Sequence, residues 1–346
     1  MGRMDFRSDT VTHPTAAMRE AMAAAEVGDD VYQDDPTTNK LEALAAEVSG
    51  KEAALFVASG TMGNQLALMA HTERGQEAIV SFNSHIFEHE VGAAAVLSGL
   101  SMRALVFEDG VYDAAQIEAN IRGGDIHEAP TGVICLENAL ANGRVVPMDV
   151  MRAVQEVGAR HGIPVHMDGA RLFNAAAALG VEAREIAGCV DSVQFCLSKG
   201  LCAPIGSMLC GDADFIARAR KYRKMLGGGM RQTGVLAAAG IIAIEEMTQR
   251  LAEDHANARL LAGLLNGVPG VAVDLGAVQV NMVFADFDWP DLDELKPWMA
   301  EHGAIIGEPD GQTLRFLTNN DVDADDCRKL VELLAEFRKG GRQAAM

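Results

Sequence analysis

Pro164-Val165-His166-Met167-Asp168-Gly169-Ala170-Arg171 is the stretch on which the fold turns. A short strand-like run ends in an acid, and Gly169 breaks it immediately afterwards. Such a strand presents its last side chain at the carboxyl edge of a sheet, where α/β proteins bind ligands. Working upstream, Asp149 to His161 reads as a helix with Val150, Val154 and Val157 in register, and Gly162 stands where it stops. Working downstream, Val193–Leu197 and then Ser207–Cys210 read as further buried strands.

The same alternation extends toward the N-terminus. Asn39 to Gly50 has a helical apolar stripe of Leu41, Leu44, Ala45 and Val48, with Asn39 and Glu42 as a capping pair and Gly50 as C-cap. Leu55–Val57 is a strand, Asn64–His71 a helix, and Val133–Leu136 another strand. Strands alternating with helices define an α/β protein with a mostly parallel, doubly wound sheet. After about Met247 the pattern becomes a long helix containing Leu251 and Leu260, strand-like runs at 271–273, 280–285 and 313–317, and a last helix around Leu330, Leu334 and Phe337. The expected domains are therefore 1–246, a large domain, and 247–346, a small C-terminal α+β domain.

Composition narrows the function. A net charge of −20 excludes nucleic acid and anionic membrane surfaces, which demand basic protein. No stretch is apolar for long enough to span a bilayer, and the first residues carry no apolar core of a signal peptide. The six cysteines form no Cys-x-x-Cys pair and read as reduced core residues of a cytoplasmic protein, with no metal expected. A soluble enzyme acting on a small molecule fits these limits.

Three segments carry chemistry. Ser59-Gly60-Thr61 joins a strand to a helix start, where free N–H groups and the helix dipole suit a phosphate. Taken alone, such a turn is common in any α/β protein. Asp168, at its strand end, suits pairing with a pyridinium nitrogen; an Asx-type turn cap accounts for the segment equally well. Phe195-Cys196-Leu197-Ser198-Lys199-Gly200 runs a lysine off a buried strand, and a lysine framed by apolar residues suits Schiff-base chemistry. Lys199 follows Asp168 by 31 residues (199 − 168), room for one crossover between neighbouring strands. A basic cluster, Arg218, Arg220, Lys221, Arg223, Lys224 and Arg231, surrounds Gly227-Gly228-Gly229. It reads mostly as a solvated helix face, with some members placed for an anion.

Six segments in order carry a resemblance: Arg7-Ser8-Asp9-Thr10-Val11-Thr12, Gly28-Asp29-Asp30-Val31-Tyr32, Ser59-Gly60-Thr61-Met62, His166-Met167-Asp168-Gly169-Ala170-Arg171, Leu197-Ser198-Lys199-Gly200, and Arg223-Lys224-Met225-Leu226-Gly227-Gly228-Gly229-Met230-Arg231-Gln232. Together they resemble the low-specificity L-threonine aldolases, pyridoxal-phosphate (PLP) enzymes of the aspartate-aminotransferase-like fold, PLP fold type I. The resemblance implies that Lys199 holds PLP as a Schiff base and that Asp168 pairs with the pyridine nitrogen. It implies that His85 stacks on the ring, that Gly60 and Thr61 hold the phosphate, and that Ser8, Arg171 and Arg315 hold the substrate carboxylate. Tyr32, Lys224 and Arg231 would serve a neighbour's cofactor in a homotetramer built as a dimer of dimers. The implied reaction is retro-aldol cleavage of L-threonine, L-allo-threonine or a relative such as phenylserine to glycine and an aldehyde.

One segment departs from the family. Glu137-Asn138-Ala139-Leu140-Ala141 stands where the family usually reads Glu-Asn-Thr-His-Asn, so the histidine near the substrate's β-hydroxyl is replaced by Leu140. His89, four residues after His85, is a candidate replacement imidazole. Racemisation or β-elimination on the same cofactor is the runner-up reaction. His85-Ile86-Phe87-Glu88-His89 also spells the H-x-x-E-H zinc pattern, which makes a zinc hydrolase using His85, Glu88 and His89 the distant alternative.

Overall fold

The protein is described over residues 4–340 by a computed structural model. Residues 1–3, which open the segment read for a signal peptide, and 341–346, which close the expected small domain, lie outside the described residues. A seven-stranded sheet runs in the order Ala53–Val57, Ser207–Gly211, Ser192–Cys196, Val165–Asp168, Thr131–Glu137, Glu77–Ser81, Ser101–Leu105. All neighbouring strands are parallel except Ser207–Gly211, which is antiparallel to both of its neighbours. Ten residues separate it from Ser192–Cys196 with no helix between, so the chain must return beside the strand it left. Strands 131–137, 165–168 and 192–196 are buried from end to end, which requires cover on both faces and explains why they read as continuous apolar runs.

Register decides what the sheet edge presents. Glu137 lies opposite Asp168, and Asp168 opposite Gln194, so three polar side chains end adjacent strands side by side. The crossover between Asp168 and Lys199 contains two short helices, Leu172–Leu179 and Ala183–Ala187. Their strands are neighbours, as the 31-residue gap implied.

Helix C-termini follow the local sequence signals more closely than helix N-termini do. Gly50 and Gly162 both end their helices in the left-handed region, at φ 64° and 66°. The helix before Gly50 begins at Pro36, however, and its N-cap is Asp35, which accepts from Thr38 N at 2.8 Å. Glu42 makes no capping pair with Asn39. It accepts from Phe56 N at 2.9 Å and from Arg220 at 2.6 Å, because a charge on the buried face of that helix needs tertiary partners. Strands 77–81 and 101–105 had no clear pattern: one is flanked by Glu77 and Ser81, and the other, at the sheet edge, carries Arg103.

Over the described residues the chain forms two compact units, one of residues 14–141 and 145–248, the other of residues 4–13, 142–144 and 249–340. The larger unit ends at residue 248, and residues 4–13 group with the C-terminal part. In that smaller unit Met4–Asp5 pairs in parallel with Ala304–Ile305, and Leu317 N donates to Phe6 O at 2.9 Å. Phe6 is fully buried in a core with Leu261, Phe287, Trp289, Leu314 and Phe316. A two-residue strand is too short to show periodicity, so nothing local announces this placement. Phe6→Ala should cost about 3–5 kcal/mol of stability. An unchanged urea midpoint would show that the N-terminal segment is not part of this core.

The same unit carries an antiparallel sheet, Thr313–Leu317, Met282–Phe287, Val271–Ala272, and the helices Leu251–Leu265, Leu292–Glu301 and Ala324–Gly340. Helix 292–301 went unread, since Pro290 before it and Pro297 within it are helix-breaking signals. All six cysteines are free and buried. Among the described residues no helix is long and apolar enough to cross a membrane.

Candidate active site

In the large unit, the carboxyl edge of the sheet carries the polar groups. Asp168 is 2% exposed, and both its oxygens are engaged. Oδ1 accepts from Ala170 N at 3.0 Å and from Gln194 Nε2 at 2.5 Å; Oδ2 accepts from Asn64 Nδ2 at 2.7 Å. Three donors and no acceptor face it, a set that suits an ionised carboxylate.

His85 begins a one-turn helix, His85–Glu88, and its backbone N–H donates to Glu137 Oε2 at 2.8 Å. Its ring Nδ1 lies 2.9 Å from Glu90 Oε1. A carboxylate only accepts, so Nδ1 carries the proton. That hydrogen bond first, then the charges of Asp168 and Glu90, raises the His85 pKa, while burial and the positive charge of Lys199 work against it. Burial first, then the charge of Asp168, pushes Glu137 up to about 7, and Lys199 again acts in the opposite sense. Lys199, just past strand 192–196, lies within electrostatic reach of His85 and Glu137.

The helix Gly60–His71 closes another side. Ser59 caps it, accepting from Met62 N at 3.1 Å, and Gly63 N donates to Ser59 O, which leaves Gly60 and Thr61 N–H without an acceptor inside the helix. A Cβ at residue 60 would lie 3.0 Å from Cys196 Sγ and 3.3 Å from Gln194 Oε1, so a side chain there would crowd the strand that leads to Lys199. Arg171 is partly buried and forms the N-cap of helix Leu172–Leu179.

The remaining expected residues are carried by other elements. Ser8 and Arg315 belong to the smaller unit, where Ser8 caps a short turn by accepting from Thr10 N, and Arg315 points outward from strand 313–317 opposite Phe284. Tyr32, Lys224 and Arg231 occupy one exposed patch of the large unit. Arg231 O accepts from Asp30 N, and Lys224 lies along Gly229 beside Val31.

Two members of the basic cluster prove structural. Arg223 is 2% exposed and bonds Asp30 Oδ2 at 2.5 Å and Phe56 O at 2.7 Å, while Arg220 pairs with Glu42. The zinc pattern is corrected as well. Among the described residues, the only three potential metal donors within reach of one another are His85, Glu90 and Asp168. The helix stops at Glu88, His89 is its C-cap, and both residues are exposed. The rings of His85 and His89 meet edge-on at 5.6 Å.

Asn64, Glu90, Gln194 and Glu137 were not singled out from sequence. The available signal was polarity inside an apolar run: Gln194 sits within Val193–Leu197, and Asn64 opens a strongly apolar helical stretch.

Residues 5–288 match the model of the family described as beta-eliminating lyase, which sets the chain among the PLP-dependent lyases. Low-specificity L-threonine aldolase 1 of Arabidopsis thaliana is 44% identical over 94% of each chain. The low specificity L-threonine aldolase of Escherichia coli is 43% identical over 97% of this chain and 98% of its own. The chain belongs to the low-specificity L-threonine aldolase family. A threonine aldolase structure from Leishmania major superposes with a TM-score of 0.82 at 20% identity, over 96% of this chain and 99% of that one, and so shares the fold.

Proposed function

We propose that this protein cleaves β-hydroxy-α-amino acids to glycine and an aldehyde with PLP, in the cytoplasm, as a homotetramer. The observation that carries the cofactor assignment is the convergence of Asp168, Lys199 and the open helix start at Gly60 on one sheet edge. The donor set fits PLP. The N–H groups of Gly60 and Thr61 suit its phosphate, the carboxylate of Asp168 suits its ring nitrogen, and Lys199 Nζ suits its aldehyde. Gln194 Oε1, buried beside Gly60 without a hydrogen-bond partner, is an acceptor left for a donor from a bound group.

When bound, PLP supplies an electron sink for the pair released at Cα. The protein's part is placement and proton management. Asp168, fixed by its three donors, would hold negative charge against the ring nitrogen. His85, its tautomer set by Glu90, would serve as the group that stacks on the ring. Arg171, Ser8 and Arg315 are the side chains we assign to the substrate carboxylate, while Tyr32, Lys224 and Arg231 would serve a neighbour's cofactor.

Leu140 is 5% exposed where the family usually has histidine. A wall with leucine in that position gives little to a β-methyl group but buries a phenyl ring at about 25 cal/mol per Å². Purified protein should therefore prefer phenylserine over threonine and discriminate weakly between L-threonine and L-allo-threonine, with glycine and aldehyde as the measured products. If His89 supplies the base, His89→Ala abolishes cleavage while leaving substrate binding intact. Full activity in that variant would exclude His89. Absence of glycine from every substrate would overturn the functional reading.

A further inference from the structure

Behind Asp168 a continuous line of buried polar groups runs away from the site. Asn64 Nδ2 lies 2.7 Å from Asp168 Oδ2 and 2.8 Å from Glu90 Oε1. Two carboxylate oxygens accept from one nitrogen, so the amide orientation is fixed: Nδ2 faces the acids and Oδ1 faces away. Asn64 Oδ1 lies 3.2 Å from His166 Nε2, which must therefore carry a proton. His166 Nδ1 lies 2.9 Å from Ser192 Oγ, and Ser192 Oγ lies 2.7 Å from His71 Nε2.

His166 is fully buried, which holds its pKa down at about 4 and keeps the ring neutral. Burial likewise holds His71 at about 3. A neutral His166 protonated on Nε2 must accept at Nδ1, so Ser192 donates to it and accepts from His71. Every bond then points one way: His71 to Ser192, Ser192 to His166, His166 to Asn64, Asn64 to Asp168. Each donor in such a chain polarises the next, and the positive ends all face Asp168.

We propose that His166 is a positioning residue that, through Asn64, orients and stabilises the ionised carboxylate of Asp168, with Ser192 and His71 fixing its tautomer. This rests on the PLP reading above. Buried hydrogen bonds could serve stability alone, so the test must read the cofactor. The charged and titratable groups around Asp168 on the other elements include His85, Glu90, Glu137, Lys199, Tyr112 and Cys135. All of these stay unaltered in the variants chosen.

His166→Phe removes the donor to Asn64, while His166→Gln restores an N–H at about the place of Nε2. Each variant, loaded with PLP, is titrated by its visible absorption, with its melting temperature measured alongside. In His166→Phe the midpoint should move upward by about one pH unit, the worth of one buried hydrogen bond to a charged group, while His166→Gln stays near wild type. The reason is that a less stabilised Asp168 carboxylate would draw the shared proton away from the ring nitrogen, leaving the ring less positive, so the Lys199 nitrogen would keep its proton to higher pH. A folded His166→Phe variant with an unchanged midpoint and unchanged cofactor affinity would overturn the proposal. Should that variant fail to fold, Ser192→Ala decides in its place: a smaller upward shift supports the chain, and none overturns it. A wild-type protein that takes up no PLP at all would overturn the functional reading itself.

Discussion

Lys199→Ala should reduce turnover by at least about 10³-fold, the scale seen when a covalent catalytic group is deleted. Lys199 stands just past strand 192–196, in a turn closed by Cys202 N donating to Lys199 O at 2.9 Å and by Ala203 N donating to Leu197 O at 3.0 Å. Its charge is felt by both His85 and Glu137, so loss of the side chain also alters the charge balance around them. Lys199→Arg should fare no better, since a guanidinium neither deprotonates nor condenses with an aldehyde. Borohydride reduction of the PLP-loaded wild-type protein, followed by peptide mapping, should place the cofactor on Lys199. An adduct on any other lysine would defeat the assignment.

Asp168→Asn is the second large effect, about 10²–10³-fold in turnover, the range for removing one preorganised charge partner. The substitution keeps size and removes charge. It also turns one end of the side chain into a donor, where Ala170 N, Gln194 Nε2 and Asn64 Nδ2 already donate, so at least one buried N–H loses its acceptor. Colour should persist, because Lys199 remains, while cleavage slows. The same change relieves Glu137, whose proton is held up to about 7 partly by the charge of Asp168, so any ionisation assigned to Glu137 should move to lower pH. Near-wild-type turnover in Asp168→Asn would remove Asp168 from the proposed mechanism.

Much of this site was legible because its residues sit at pattern breaks. Asp168 ends an apolar strand at a glycine, Lys199 leaves a buried strand, and Gly60 opens a helix, and each of these is a local event that a linear reading detects. Polar residues whose role is to face another element left a weaker trace. Asn64 and Glu90 are 26 residues apart in sequence yet share a hydrogen bond, and Asn64 reaches Asp168 across 104 residues. Glu42 illustrates the cost of reading locally: its spacing from Asn39 suited a cap, yet its partners are Phe56 and Arg220.

Helix and strand periodicity, the glycine stops and the ordered motifs were determined by the sequence alone, because they follow from backbone geometry and from which side chains must avoid water. The tertiary structure alone decided the antiparallel run of Ser207–Gly211, the incorporation of residues 4–13 into the smaller unit, and the amide and imidazole orientations behind Asp168. Those depend on register and on burial. A proton settles on one nitrogen rather than another only when the group across from it is in place, and that group is supplied by a distant part of the chain.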